Sequence, residues 1–128
     1  MTAFTYERHE QAAVFRWAKL NERRAPALRL LNASMNGISL GGSKESRART
    51  IKAAHAQGMR NGFPDIALPV PGNGWHALFI ELKREDGVLE PEQKEWLDLL
   101  TEYGNLATAC WGAVEAIEVL SEYVGIGR

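Results

Sequence analysis

The chain has 128 residues, of which 45% are apolar and 24% charged, the balance of one folded domain over 1–128 and not of a disordered or fibrous chain. It holds no apolar run of about 18 residues, which excludes a membrane-spanning helix, and its first residues lack the basic start and apolar stretch of a secretory signal. The net charge of −1 hides a segregation: residues 1–60 carry 11 Lys or Arg against 4 Asp or Glu, and residues 61–128 carry 4 against 12. A surface facing a polyanion is therefore expected in the first half. The single cysteine, Cys110, forms no internal disulfide, which fits a reducing cytoplasm, and His9, His55 and His76 stand apart without zinc-ligand spacing.

From Glu7 to about Arg23 the pattern is helical, with Ala13, Val14, Trp17 and Ala18 at three- and four-residue spacings, and Pro26 closes it. Leu28 to Ala33 is short and apolar and predicts a strand. Ser43 or Ser46 can cap a helix that runs to about Gln57 and stops at Gly58. Asp65–Val70 and His76–Lys83 alternate in polarity around the turn Pro71-Gly72-Asn73-Gly74, which predicts a β-hairpin. Pro91 opens a helix with Trp96, Leu99, Leu100 and Tyr103 as its apolar stripe and Gly104 as its stop. Leu106–Trp111 reads as a buried strand and Ala113–Tyr123 as a last helix. The order α-β-α-β-β-α-β-α is that of an α/β layer fold with a mixed sheet. Trp17, Trp96 and Trp111 fall at core spacings, and Trp75 at the hairpin tip is the exception, an exposed contact or an interface anchor.

The hairpin carries the chemistry. If Asp65 lies opposite Glu81, the numbers of each facing pair sum to 146, which also sets Ile66 against Ile80 and Leu68 against Leu78. One face is then wholly apolar, and Asp65, Glu81 and Lys83 share the other. Facing Cβ atoms are about 4.5–5.5 Å apart, and two ionised carboxylates that close repel unless a cation lies between them. Mg²⁺, held by one or two carboxylates and waters, suits such a pair. An ammonium beside it is placed to hold an attacking water or to stabilise charge developing on a phosphate. Taken alone, Glu-x-Lys is also an ordinary solvent-facing strand pattern.

Gly62-Phe63-Pro64-Asp65 followed by Phe79-Ile80-Glu81-Leu82-Lys83 resembles the PD-(D/E)xK nuclease superfamily. Glu10-Gln11, Asn36-Gly37, Gly58-Met59-Arg60-Asn61-Gly62 and Pro91-Glu92-Gln93 with Trp96-Leu97 narrow the likeness to the VRR-NUC group, of the stand-alone phage and bacterial type. The resemblance runs from about Glu7 to Tyr123. It implies a restriction-endonuclease-like mixed β-sheet flanked by helices. It also implies metal binding by Asp65, Glu81 and the Leu82 backbone carbonyl, a water-orienting Lys83, an acid from the first helix at Glu10, and Gln93 beside the lysine. Glu7, one turn before Glu10, is the alternative acid. The cofactor so implied is Mg²⁺, with Mn²⁺ as its substitute.

Asn36, Arg47, Arg49, Lys52 and Arg60, in the basic half, suit phosphate contacts, which position nucleic acid without reading bases. The expectation is a metal-dependent deoxyribonuclease acting on branched or structured DNA, Holliday junctions first, as a homodimer in the cytoplasm of a bacterial cell or phage-infected host. The alternative from another class is a non-catalytic nucleic-acid-binding module on the same fold.

Overall fold

The computed structural model describes residues 3–34 and 41–127. Helix α1 (Ala3–Leu20) leads into a short 3-10 helix (Pro26–Leu30), and strand β1 is only Asn32–Ala33. The predicted strand over Leu28–Ala33 is thus 3-10 helix over its first half and strand only at Asn32–Ala33. The inward residues explain this: Ala25 and Leu28 are buried and Leu31 packs against the core, a spacing of three that suits a 3-10 turn and not the two-residue period of a strand.

The remaining elements are α2 (Lys44–Ala56), β2 (Ile66–Leu68), β3 (Leu78–Lys83), α3 (Pro91–Glu102), β4 (Leu106–Trp111) and α4 (Ala113–Val124). The four strands form one sheet in the order β1-β2-β3-β4, antiparallel for the first two pairs and parallel for β3 with β4. The parallel pair follows from the helical crossover through α3. The architecture is the α/β mixed sheet expected from the sequence. The hairpin strands are shorter than their alternation, because Pro69 and Pro71 can donate nothing to a ladder. Its register is the expected one, Ile66 opposite Ile80 and Leu68 opposite Leu78.

That register makes one sheet face apolar. Ile66, Leu68, Leu78, Ile80 and Leu82 are almost fully buried, with Val14 and Ala18 of α1 and Ala116 and Leu120 of α4 in the same core. Each of the isoleucine, leucine and valine side chains contributes about 1.5–3 kcal/mol on burial. With Ile80 and Leu82 pinned inward, the intervening Glu81 and the following Lys83 must project from the opposite face. That second face is covered too: α3 packs on β4, where Ala107 and Ala109 are small, and Phe63 bridges Phe79 and Trp96 with edge-to-face rings 5.9 and 5.3 Å apart.

The segment before Asp65 is fixed by a close approach to α3. Gly62 has φ +87°, and a Cβ there would lie 2.8 Å from the Glu92 carbonyl group and 2.9 Å from the Trp96 ring. The Trp96 indole N–H donates to the Asn61 carbonyl at 2.8 Å. In contrast, α2 buries none of its residues. Ser43 caps it, accepting from the Ser46 amide at 3.0 Å. No described helix is long and apolar enough to cross a membrane.

Candidate active site

β2 pairs with β3 only as far as Ile66 and Ile80, and the next step of the same register sets Asp65 opposite Glu81. The Leu82 amide, beyond the end of the ladder, donates instead to Asp65 Oδ2 at 2.8 Å. Two residues on, the Arg84 amide donates to Glu7 Oε1 at 3.4 Å. The N–H and C=O of an extended residue leave the chain on the same side, so the Leu82 carbonyl opens on the edge that Asp65 and Glu7 flank. Glu7, not Glu10, is the acid that α1 brings here.

Glu81 is only 4% exposed and Lys83 only 8%. Neither is a solvated strand residue, so the ordinary reading of Glu-x-Lys does not hold for this strand. Glu81 Oε1 accepts from Gln93 Nε2 at 2.9 Å, while Gln93 Oε1 accepts the Glu90 amide at 2.9 Å. One amide therefore closes the first turn of α3 and fixes the Glu81 carboxylate. The resemblance implied Gln93 beside the lysine; its bond goes to the glutamate.

Burial is the main influence on both acids. It pushes the Asp65 carboxyl up, against the Leu82 amide, the Glu81 hydrogen bond and the Lys83 charge, which favour ionisation. Burial and the facing Asp65 together push Glu81 up to about 9, with Lys83 opposing. Protonated Glu81 can hydrogen-bond to Asp65. Once both are ionised, Glu81 Oε2 is a buried oxygen with no donor among the described residues. A buried carboxylate in that position needs a proton or a cation. Asp65, Glu81 Oε2 and the Leu82 carbonyl are hard oxygen donors of the kind that hold Mg²⁺. Among the described residues no three His, Cys, Asp or Glu side chains converge into a complete cage, so bound water would fill the remaining positions.

Glu10 has other work. Its Oε2 accepts the amide of Ala113, the first residue of α4, at 2.6 Å. A glutamate from α1 thus caps α4, whose own N-cap is Gly112 at φ +91° and has no side chain to do so. Its inward position on α1 was legible from the apolar stripe; its partner was not, because that partner is a backbone amide more than a hundred residues away.

The basic residues sit in different settings. Arg49 and Lys52 are exposed on one side of α2, three residues apart. Arg47 lies on the other side, its guanidinium donating to the Gly42 carbonyl at 2.5 Å. Arg60 lines a groove of about 330 Å³ with Asn61, Glu92, Glu95, Trp96 and Leu99. Asn36 is outside the described residues. Trp75, expected to be exposed, is half-buried against the core. Trp111 is the more exposed one at 37%, its indole donating to the Gly87 carbonyl at 2.7 Å.

Comparison with known proteins gives two findings. The family model described as the VRR-NUC domain matches residues 5–114. Among solved structures, a chain described as a VRR_NUC domain protein is similar in fold, at 23% identity and a TM-score of 0.73, over 96% of this chain and 91% of that one. No curated protein matches the chain. The match takes in the first helix, the hairpin with its paired acids and lysine, and α3 with Gln93; the chain belongs to the VRR-NUC family of nuclease domains.

Proposed function

We propose that this nuclease domain is a Mg²⁺-dependent DNA endonuclease. The observation that carries the reading is the buried Asp65–Glu81 pair, left with an oxygen that has no donor among the described residues and flanked by Lys83. A protein that only bound DNA would gain nothing from burying two acids where a polyanion must approach.

Asp65, Glu81 and the Leu82 carbonyl would hold the cation, with Glu7 next to them on the β3 edge. A bound Mg²⁺ would polarise the phosphate and acidify a water. The Leu82 amide keeps Asp65 Oδ2 turned to that edge, and Gln93 keeps Glu81 from rotating away. The Lys83 ammonium, on the same sheet face two residues after Glu81, holds the attacking water and faces the charge that develops on the phosphate. Arg49 and Lys52 on the exposed helix α2 would contact phosphates.

The substrate we infer is branched or otherwise structured DNA, a four-way junction foremost, cut by two copies of the chain related by a two-fold axis. The test is cleavage of a four-way junction and of supercoiled plasmid with Mg²⁺ or with EDTA. Cleavage is expected only with Mg²⁺, and its loss by at least about a hundredfold in Asp65→Asn and Lys83→Ala while DNA binding persists. Tight binding by the wild type with no cleavage in either substrate would favour the non-catalytic binding module.

A further inference from the structure

Two buried side-chain atoms lack a hydrogen-bond partner among the described residues: Glu81 Oε2 and the hydroxyl Oγ of Ser34. They are not scattered. β1 pairs with β2 so that Asn32 faces Ala67 and Ala33 faces Ile66. The next step sets Ser34 opposite Asp65, and the Ser34 amide donates to the Asp65 carbonyl at 2.8 Å. Facing residues of an antiparallel pair project from the same side of the sheet. Ser34, Asp65 and Glu81 therefore form one row across three strands, on the face away from the core, with the small Ala109 as the row's fourth member.

A buried hydroxyl left without a partner is uncommon and costs free energy. Two such atoms on either side of the same carboxylate point to one missing occupant that satisfies both. We propose that the Ser34 hydroxyl is a positioning group for the cation site: it holds a water in the shell of a divalent cation bound by Asp65 and Glu81. This rests on the reading of that pair as a cation site. A hydroxyl can donate to or accept from such a water, and partners of this outer kind orient the ligands and tune affinity. Serine reaches the position because β1 continues its ladder one residue past Ala33.

The test uses the metal-free full chain and Mn²⁺ alone, with no DNA. In Ser34→Ala the metal-free melting temperature is expected to stay the same or rise, because no hydrogen bond is lost. Its Mn²⁺ affinity, measured by calorimetry, is expected to fall about tenfold. Ser34→Thr, which keeps the hydroxyl, should retain the affinity; Ser34→Cys, close in size but a weak donor, should lose it. Wild-type Mn²⁺ affinity in Ser34→Ala and Ser34→Cys overturns the proposal and leaves the cation site standing, as does a lowered metal-free melting temperature with affinity unchanged. If the wild type binds no more Mn²⁺ than Asp65→Asn, the cation reading falls and takes this one with it.

Discussion

At the scale of single residues, the molecule buries the Glu81 carboxyl to 4% exposure and sets it between the Gln93 amide and Asp65. Glu81, pushed from its ordinary value of 4.5 up to about 9, holds a proton in the metal-free fold that the unfolded chain gives up. Between those values the folded state binds more protons, so stability falls as pH rises, by at most about 1.4 kcal/mol per unit. The metal-free melting temperature should drop from pH 5 to pH 9, and 5 mM Mg²⁺ should restore most of it at the alkaline end. Glu81→Gln, which has nothing to ionise, should show a flatter profile and no Mg²⁺ response. The two acids of α1 separate in the same way. Glu7→Gln should slow Mg²⁺-dependent cleavage at least about tenfold with little change in stability. Glu10→Gln should lower stability by about 1 kcal/mol, through the cap on α4, as read by chemical denaturation.

At the scale of elements, the hairpin register was legible because a one-residue slip would turn Ile66, Leu68, Leu78 and Ile80 out of the core. Asp65, Glu81 and Lys83 came with it, since fixing one face fixes the other. The strand expected over Leu28–Ala33 is 3-10 helix at Leu28–Leu30, because short apolar runs do not distinguish a 3-10 turn from a strand. Gln93 was visible as an amide one turn before Trp96, but its bond to Glu81 depends on how α3 crosses the sheet, which no local pattern encodes. The same crossing explains Gly62. Gly62→Ala would force a Cβ against the Glu92 backbone at a φ that disfavours side chains, and should cost about 1–3 kcal/mol in denaturant unfolding. Because Gly62 leads directly to Asp65, cleavage should fall even under conditions where the variant is fully folded.

At the scale of the whole molecule, the opposite charges of the two halves fall on different helices, while Arg60 shares a groove with Glu92 and Glu95. α2, with no buried residue, carries Arg49 and Lys52 outward. α3 carries Glu92, Glu95, Asp98 and Glu102. The sequence showed the basic half but not that Arg47 is engaged with Gly42, since both are surface groups and their pairing depends on how the loop enters α2. Replacing Arg49 and Lys52 together with Gln should weaken DNA binding about equally for all sequences, and reduce the slope of log affinity against log salt by about 2. An unchanged slope would remove α2 from the DNA surface. The layers place apolar burial on one side of β3 and the paired acids on the other, so the core that stabilises the sheet also sets the spacing of the site. The claim at the centre is that Asp65 and Glu81 hold one proton, or a divalent cation in its place. Calorimetric titration of Mn²⁺ into the metal-free protein near pH 7.5, in two buffers of different ionisation enthalpy, counts the protons released. The wild type should release about one proton per cation bound and Glu81→Gln none; a cation bound without proton release, or with equal release from the variant, contradicts it.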